Sequence, residues 1–236
     1  MTKKINTKLN KLIKYYSLIN YNLVYDNQSI NRYKKKFNIP GNKEELLKKL
    51  KSSLKNIKNC ELKKNAKNIV FADGNPGAKI MIIGEGPGSN EDLEGLPFVG
   101  RAGTLLDKML ESINLNRNNV YITNVVNYRP PENRKPNERE IDRYLPYLKK
   151  HIEIINPKIL ILLGSTAMNS IISDDKVISE VRGNWIEKKI GNCKVSTIVS
   201  FHPAFLMRQP AQKKLAWVDL KMIKKKISEL KIKIEE

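Results

Sequence analysis

Four nearly continuous apolar stretches of strand length recur along the chain, at Lys79 to Ile83, Val120 to Val126, Ile159 to Leu163 and Val195 to Val199. The first is preceded by Ile69-Val70-Phe71 and ends in a glycine-rich turn. Unbroken apolar runs of this length are what strands covered on both faces need. Between them, residues 102–113, 138–155 and 165–171 repeat apolar groups at helical spacing. Strand and helix in alternation predict an α/β protein: a three-layer α/β/α domain with a central, mostly parallel sheet. Ligands of such sheets bind at the carboxyl ends of the strands, where the strand order reverses.

A different pattern precedes this domain. Leu9, Leu12, Ile13, Tyr16, Leu18 and Ile19 predict an amphipathic helix over 4–21; residues 22–42, with Pro40-Gly41, read as a linker. A second helix is expected over 43–57, with Leu46, Leu47, Leu50 and Leu54 on one side. We therefore expect a basic helical N-terminal extension over 1–58 and a catalytic domain over 59–236. Residues 1–68 hold 18 Lys/Arg against 4 Asp/Glu, within a chain of net charge +20. That asymmetry fits a module that neutralises phosphates, and a solvated Lys-rich face is the competing reading. There is no apolar run of about 18 residues, and Met1-Thr2-Lys3-Lys4 leads into no apolar leader segment. The expectation is a soluble, cytoplasmic protein with no membrane contact, nucleoid-associated in a bacterium. Its two cysteines, Cys60 and Cys193, are too few for a disulfide framework or a four-thiolate site.

Three loops at strand ends carry chemistry. Gly84-Glu85-Gly86-Pro87-Gly88 follows the first core strand. Its glycines allow close backbone approach, and Glu85 is suited to orienting water or stabilising positive charge rather than to holding phosphate. Phe98, in Pro97-Phe98-Val99-Gly100-Arg101, is either a buried plug or a stacking platform for an unstacked base. Asn124 interrupts an apolar strand; its amide either satisfies backbone or reads a ligand edge. His202, before Pro203-Ala204, points into the crevice, whereas His151 lies in a Lys-rich helix and is expected at the surface. Arg129, Arg134 and Lys135 stand in a proline-stiffened basic loop suited to phosphate contact. Phe205, Leu206 and Arg208 form either an apolar wedge with a basic flank, suited to the space an extruded base leaves, or an ordinary packing segment.

Together these motifs closely resemble family 4 of the uracil-DNA glycosylases, from about Cys60 to about Lys221. Phe71-Ala72-Asp73-Gly74-Asn75-Pro76, Gly84 to Gly88, Glu94 to Gly103, Thr123-Asn124-Val125-Val126 and His202-Pro203-Ala204 carry the resemblance. It implies a domain that flips uracil out of DNA and hydrolyses its N-glycosidic bond. Phe98 would stack on the base, Asn124 would bind its edge, Gly84 and Gly86 would border it, and His202 would stabilise charge developing at uracil O2. Glu85 would position water or balance an oxocarbenium-like sugar. Residues 127–140 contain no histidine, unlike the covalently trapping relatives.

The resemblance has one departure. Family 4 members usually hold a [4Fe-4S] cluster through four cysteines; here Cys60 alone remains, with Lys63, Tyr128 and Tyr144 at the other positions. One thiol, an amine and two phenols do not hold such a cluster, so no metal and no cofactor are expected. The expected partner is uracil-containing DNA, bound by a monomer, with a protein partner for the extension as a further expectation. Two alternatives stand beside a working glycosylase: an inactive DNA-binding relative, and an enzyme for another deaminated base such as hypoxanthine.

Overall fold

The structure, a computed structural model, describes residues 43–172 and 177–234. The helix and linker expected over 4–42 lie outside the described residues. The strands are β1 (Asp73–Gly74), β2 (Ile80–Gly84), β3 (Tyr121–Asn124), β4 (Ile159–Leu163), β5 (Trp185–Ile190) and β6 (Cys193–Ser200). They form one sheet in the order β1-β3-β2-β4-β6-β5. The central strands β3, β2, β4 and β6 are parallel, and β1 and β5 close the two edges antiparallel. The chain leaves β2 for β3 on one flank and later returns to lay β4 on the other. The loops after β2 and β4 therefore diverge, and a crevice opens between them.

The helices are α1 (Lys43–Lys55), α2 (Glu61–Asn65), α3 (Ser89–Glu94), α4 (Arg101–Glu111), α5 (Glu138–Ile155), α6 (Ser165–Ile172), α7 (Ile178–Val181), α8 (Pro203–Arg208) and α9 (Lys213–Glu229). Alternation along β2 explains its unbroken apolar run. Met81 and Ile83 join a core with α1, α5 and α6, while Ile80 and Ile82 join a second core with α4 and α9. The result is three layers. The longest helix, α5, starts where Asn137 accepts from the Glu140 N–H at 2.9 Å and Glu140 accepts from the Asn137 N–H at 2.8 Å. It stops at Asn156, whose φ of 49° is left-handed.

Several elements differ from the sequence reading. Leu47, Leu50 and Leu54 of α1 are buried in the same core as Tyr144, Leu148 and Ile152 of α5. Burying each leucine contributes roughly 1.5–3 kcal/mol, so residue 58 does not mark an edge of this core. Ile69 to Phe71 is no strand: the Val70 N–H bonds to Asn127 O at 2.8 Å, and Asn127 Nδ2 donates back to Val70 O at 3.0 Å. The edge strand β5 was unanticipated because its Glu-Lys-Lys centre breaks the apolar run. Helix α9 was overlooked although Ala216, Leu220, Ile223 and Ile227 mark its buried face.

His151 is a further correction. It is 2% exposed rather than at the surface. Its Nε2 lies 2.8 Å from the Tyr121 hydroxyl, and its ring stacks on Phe71 at 4.6 Å between centroids. The charged neighbours Lys149 and Lys150 hid an inward-facing position on an amphipathic helix.

Candidate active site

A cavity of about 180 Å³ opens at the carboxyl ends of β2 and β3, lined among others by Glu85, Gly86, Phe98, Asn124 and His202. The register of the parallel pair β2–β3 sets Gly84 directly beside Asn124. A Cβ at Gly84 would lie 2.5 Å from Asn124 Oδ1 and 2.5 Å from Phe98 Cζ, so only glycine leaves both groups their places. Asn124 is 3% exposed, and its Oδ1 is buried with no hydrogen-bond partner among the described residues. A buried acceptor of this kind is costly unless something completes it. Phe98 is 5% exposed and also faces the cavity, so it is both packed and a wall of the pocket.

His202 caps helix α8, its Nδ1 accepting the Ala204 N–H at 3.2 Å. With Nδ1 acting as acceptor, the proton of the neutral ring is assigned to Nε2, which becomes a donor. Burial pushes the imidazole pKa down to about 4; nearby Arg208 lowers it further and Glu91 opposes the shift. The ring is therefore neutral at pH 7. It stacks on Phe98, with centroids 5.5 Å apart. Glu85 accepts a hydrogen bond from the Thr166 hydroxyl at the start of α6, a contact that ties the loop after β2 to the loop after β4. Thr166 was not anticipated because its partner is distant in sequence.

The residues expected to face DNA separate. A second cavity of about 480 Å³ shares Glu85, Asn133 and His202 with the first and adds Lys135, Phe205 and Arg208. Lys135 and Arg208 are exposed there and Phe205 is half-buried. Arg134 lines the first cavity, and its two terminal nitrogens hold the Glu140 carboxylate at 2.8 and 2.6 Å. Arg129 donates through Nε to Asn133 Oδ1 at 2.8 Å. Both arginines stiffen the loop from within. Leu206 is 1% exposed and packs with Ile198 and Phe201 in the core, so it is no exposed wedge. Phe205 remains partly exposed, its ring 5.0 Å from that of Phe201.

Of the four positions that the resemblance assigns to cluster ligands, Cys60, Tyr128 and Tyr144 lie elsewhere, in the core with α5, and Lys63 lies outside that core. Cys60 Sγ is 3.1 Å from the Tyr144 hydroxyl; Tyr144 is wholly buried and Tyr128 is 5% exposed. Burial is the first cause raising the pKa of both phenols, and the Cys60 thiol adds to it. Lys63 donates to the Lys55 carbonyl. Neutral phenols and an ammonium engaged with a carbonyl are not thiolate donors. The residues present do not fit an iron–sulfur cluster.

An aromatic wall, an amide with an open acceptor, a neutral imidazole donor and a carboxylate converge on one cavity at a sheet switch point. That arrangement defines an α/β protein with a polar cavity walled on one side by an aromatic ring. Residues 71–221 match the family model described as the uracil DNA glycosylase superfamily, and the chain belongs to that superfamily. Among curated relatives, the type-4 uracil-DNA glycosylase of Thermotoga maritima is 43% identical over 167 residues, covering 70% of this chain and 85% of that protein. The type-4 enzyme of Sulfurisphaera tokodaii is 41% identical over 183 residues, 75% of this chain and 83% of its own length. That of Pyrobaculum aerophilum is 38% identical over 169 residues, 70% and 86%.

Proposed function

We propose that the chain is a monofunctional uracil-DNA glycosylase that extrudes uracil from DNA and hydrolyses its N-glycosidic bond. Asn124 Oδ1, buried and unpartnered at the cavity wall, is the observation that carries this reading. Uracil offers an N3–H donor to complete it and O4 to accept from the amide Nδ2. In that amide orientation cytosine sets a bare N3 lone pair against Oδ1 and its N4 amino group against Nδ2, a mismatch costing about 1–3 kcal/mol unless the amide turns over. Phe98 stacks on the base. As the C1′–N1 bond breaks, its electron pair passes to the uracil ring, and the Nε2–H of His202 stabilises the charge at O2. Glu85, oriented by Thr166, balances the cationic sugar and orients the water that adds at C1′.

No lysine lines the base cavity among the described residues, and the product is an abasic site with an intact strand. The site needs no iron–sulfur cluster: the Cys60–Tyr144 contact and Tyr128 fill its corner of the core. Lys135 and Arg208 contact phosphates beside the extruded nucleotide, and the basic segment before residue 43 adds sequence-independent affinity. The enzyme works as a cytoplasmic monomer. No helix of the described residues is long and apolar enough to cross a membrane.

The test is single-turnover uracil release from a labelled U:G duplex by the wild type, Asn124→Ala and His202→Ala. A loss of about tenfold or more for each, about 1.4 kcal/mol in the barrier, is expected. Wild-type binding to duplex with no release would instead identify a DNA-binding relative. Release of hypoxanthine, unaffected by free uracil, would identify another base.

A further inference from the structure

Phe98 stands at φ 55°, the left-handed region that bulky side chains avoid. Such a conformation persists only where its surroundings over-determine it. Three neighbours do so here. On the carbonyl side, Arg117 donates through Nη1 to Pro97 O at 3.1 Å and through Nη2 to Phe98 O. The same guanidinium is held by Asp73 at 2.6 Å through Nη1 and by Asp107 at 2.9 Å through Nε. On the amide side, Glu91 Oε1 accepts the N–H groups of Val99 at 3.0 Å and Gly100 at 2.8 Å. Its Oε2 accepts the Gly88 N–H at 3.1 Å, which couples this loop to the turn that carries Glu85. Below, Gly103 leaves room that a Cβ would take, since that atom would lie 1.7 Å from Phe98 O.

We propose that Arg117 is a positioning residue of the glycosylase: it clamps the Pro97 and Phe98 carbonyls and thereby fixes the plane on which the base stacks. The proposal rests on reading Phe98 as the stacking platform. Arg117 does not line the base cavity, so it acts through Phe98 and touches no substrate. Only a planar fork serves all four acceptors, two carboxylates and two carbonyls, at once; a lysine ammonium is a single point charge on a flexible stem. The carboxylates of Asp73 and Asp107 hold the guanidinium before substrate arrives, so the platform is set in the free enzyme.

Arg117→Lys, Phe98→Ala and the double variant are compared by single-turnover uracil release, inhibition by free uracil, affinity for a uracil-free duplex and urea midpoint. Arg117→Lys is expected to slow release about tenfold and weaken inhibition by free uracil, with uracil-free duplex affinity changed less than about twofold. The double variant is expected to be no slower than Phe98→Ala, because a residue acting through the ring has nothing left to position. Equal Arg117→Lys effects in the presence and absence of the Phe98 ring would overturn the clamp. So would wild-type release by Arg117→Lys beside an impaired Phe98→Ala. A Phe98→Ala enzyme with unchanged release and inhibition would overturn the platform reading itself. If Arg117→Lys fails to fold, Asp107→Asn takes its place: it weakens the grip on the same guanidinium from outside the base cavity. Slowed release that disappears in the Phe98→Ala background is again expected, and slowing that persists there would overturn the proposal.

Discussion

One added methyl group at Gly84 would meet both the amide and the aromatic wall of the base pocket. Gly84→Ala is therefore expected to lower single-turnover release about a hundredfold, near 2.7 kcal/mol, while leaving affinity for uracil-free duplex unchanged. His202 makes a second expectation at this scale. Protonation would put an N–H at Nδ1 against the Ala204 N–H, and burial already holds the pKa near 4. The release rate should be flat from pH 8 to pH 6 and fall only toward pH 4; a limb near 6.5 that vanishes in His202→Gln would contradict this. Phe98, Asn124 and His202 were legible because each is chemically odd within its own segment. Thr166 and Arg117 were not, since their partners lie up to 81 residues away. Leu206 misled for the opposite reason: a short apolar run before an arginine looks the same whether it faces DNA or the core.

At the scale of elements, the order of strands and helices could be read because the central strands are apolar on both faces. The edges could not. Strand β5 presents Glu187 and Lys189 outward, and α1 reads as an appendage until its leucines are set against α5. A chain beginning at residue 59 is expected to unfold at a clearly lower temperature than the full chain, because α5 would lose its cover of Leu47, Leu50 and Leu54. Calorimetry checks it. The end of β6 is held differently: Asp219 of α9 is fully buried, accepts from Ser200 Oγ at 2.7 Å and pairs with Arg182. The Arg182 guanidinium also lies 5.3 Å from the centre of the Phe201 ring, one residue before His202. Arg182→Leu strands a buried carboxylate and should cost about 3–5 kcal/mol by urea titration.

Over the whole molecule, the two histidines titrate in one direction. Burial lowers the pKa of His151 to about 3 and of His202 to about 4, against 6.5 for an ordinary imidazole. Below pH 6.5 the unfolded chain binds protons that the folded chain refuses, so these groups make stability fall with acid. Their contribution is complete above 6.5 and is lost progressively toward pH 3. The urea midpoint should drop between pH 7 and pH 5. Net charge governs the approach to DNA: residues 1–40 carry nine Lys/Arg and one Asp. Each phosphate they neutralise adds about 0.9 to the slope of log affinity against log salt, and a chain beginning at residue 41 should show a shallower slope.

Cys60, whose Sγ lies 3.1 Å from the Tyr144 hydroxyl, bears on how the enzyme assembles. On the proposed cluster-free reading, the folded protein forms from the polypeptide alone. Protein unfolded in urea is then expected to recover uracil release in air without added iron or sulfide, and a requirement for either on refolding would contradict that reading.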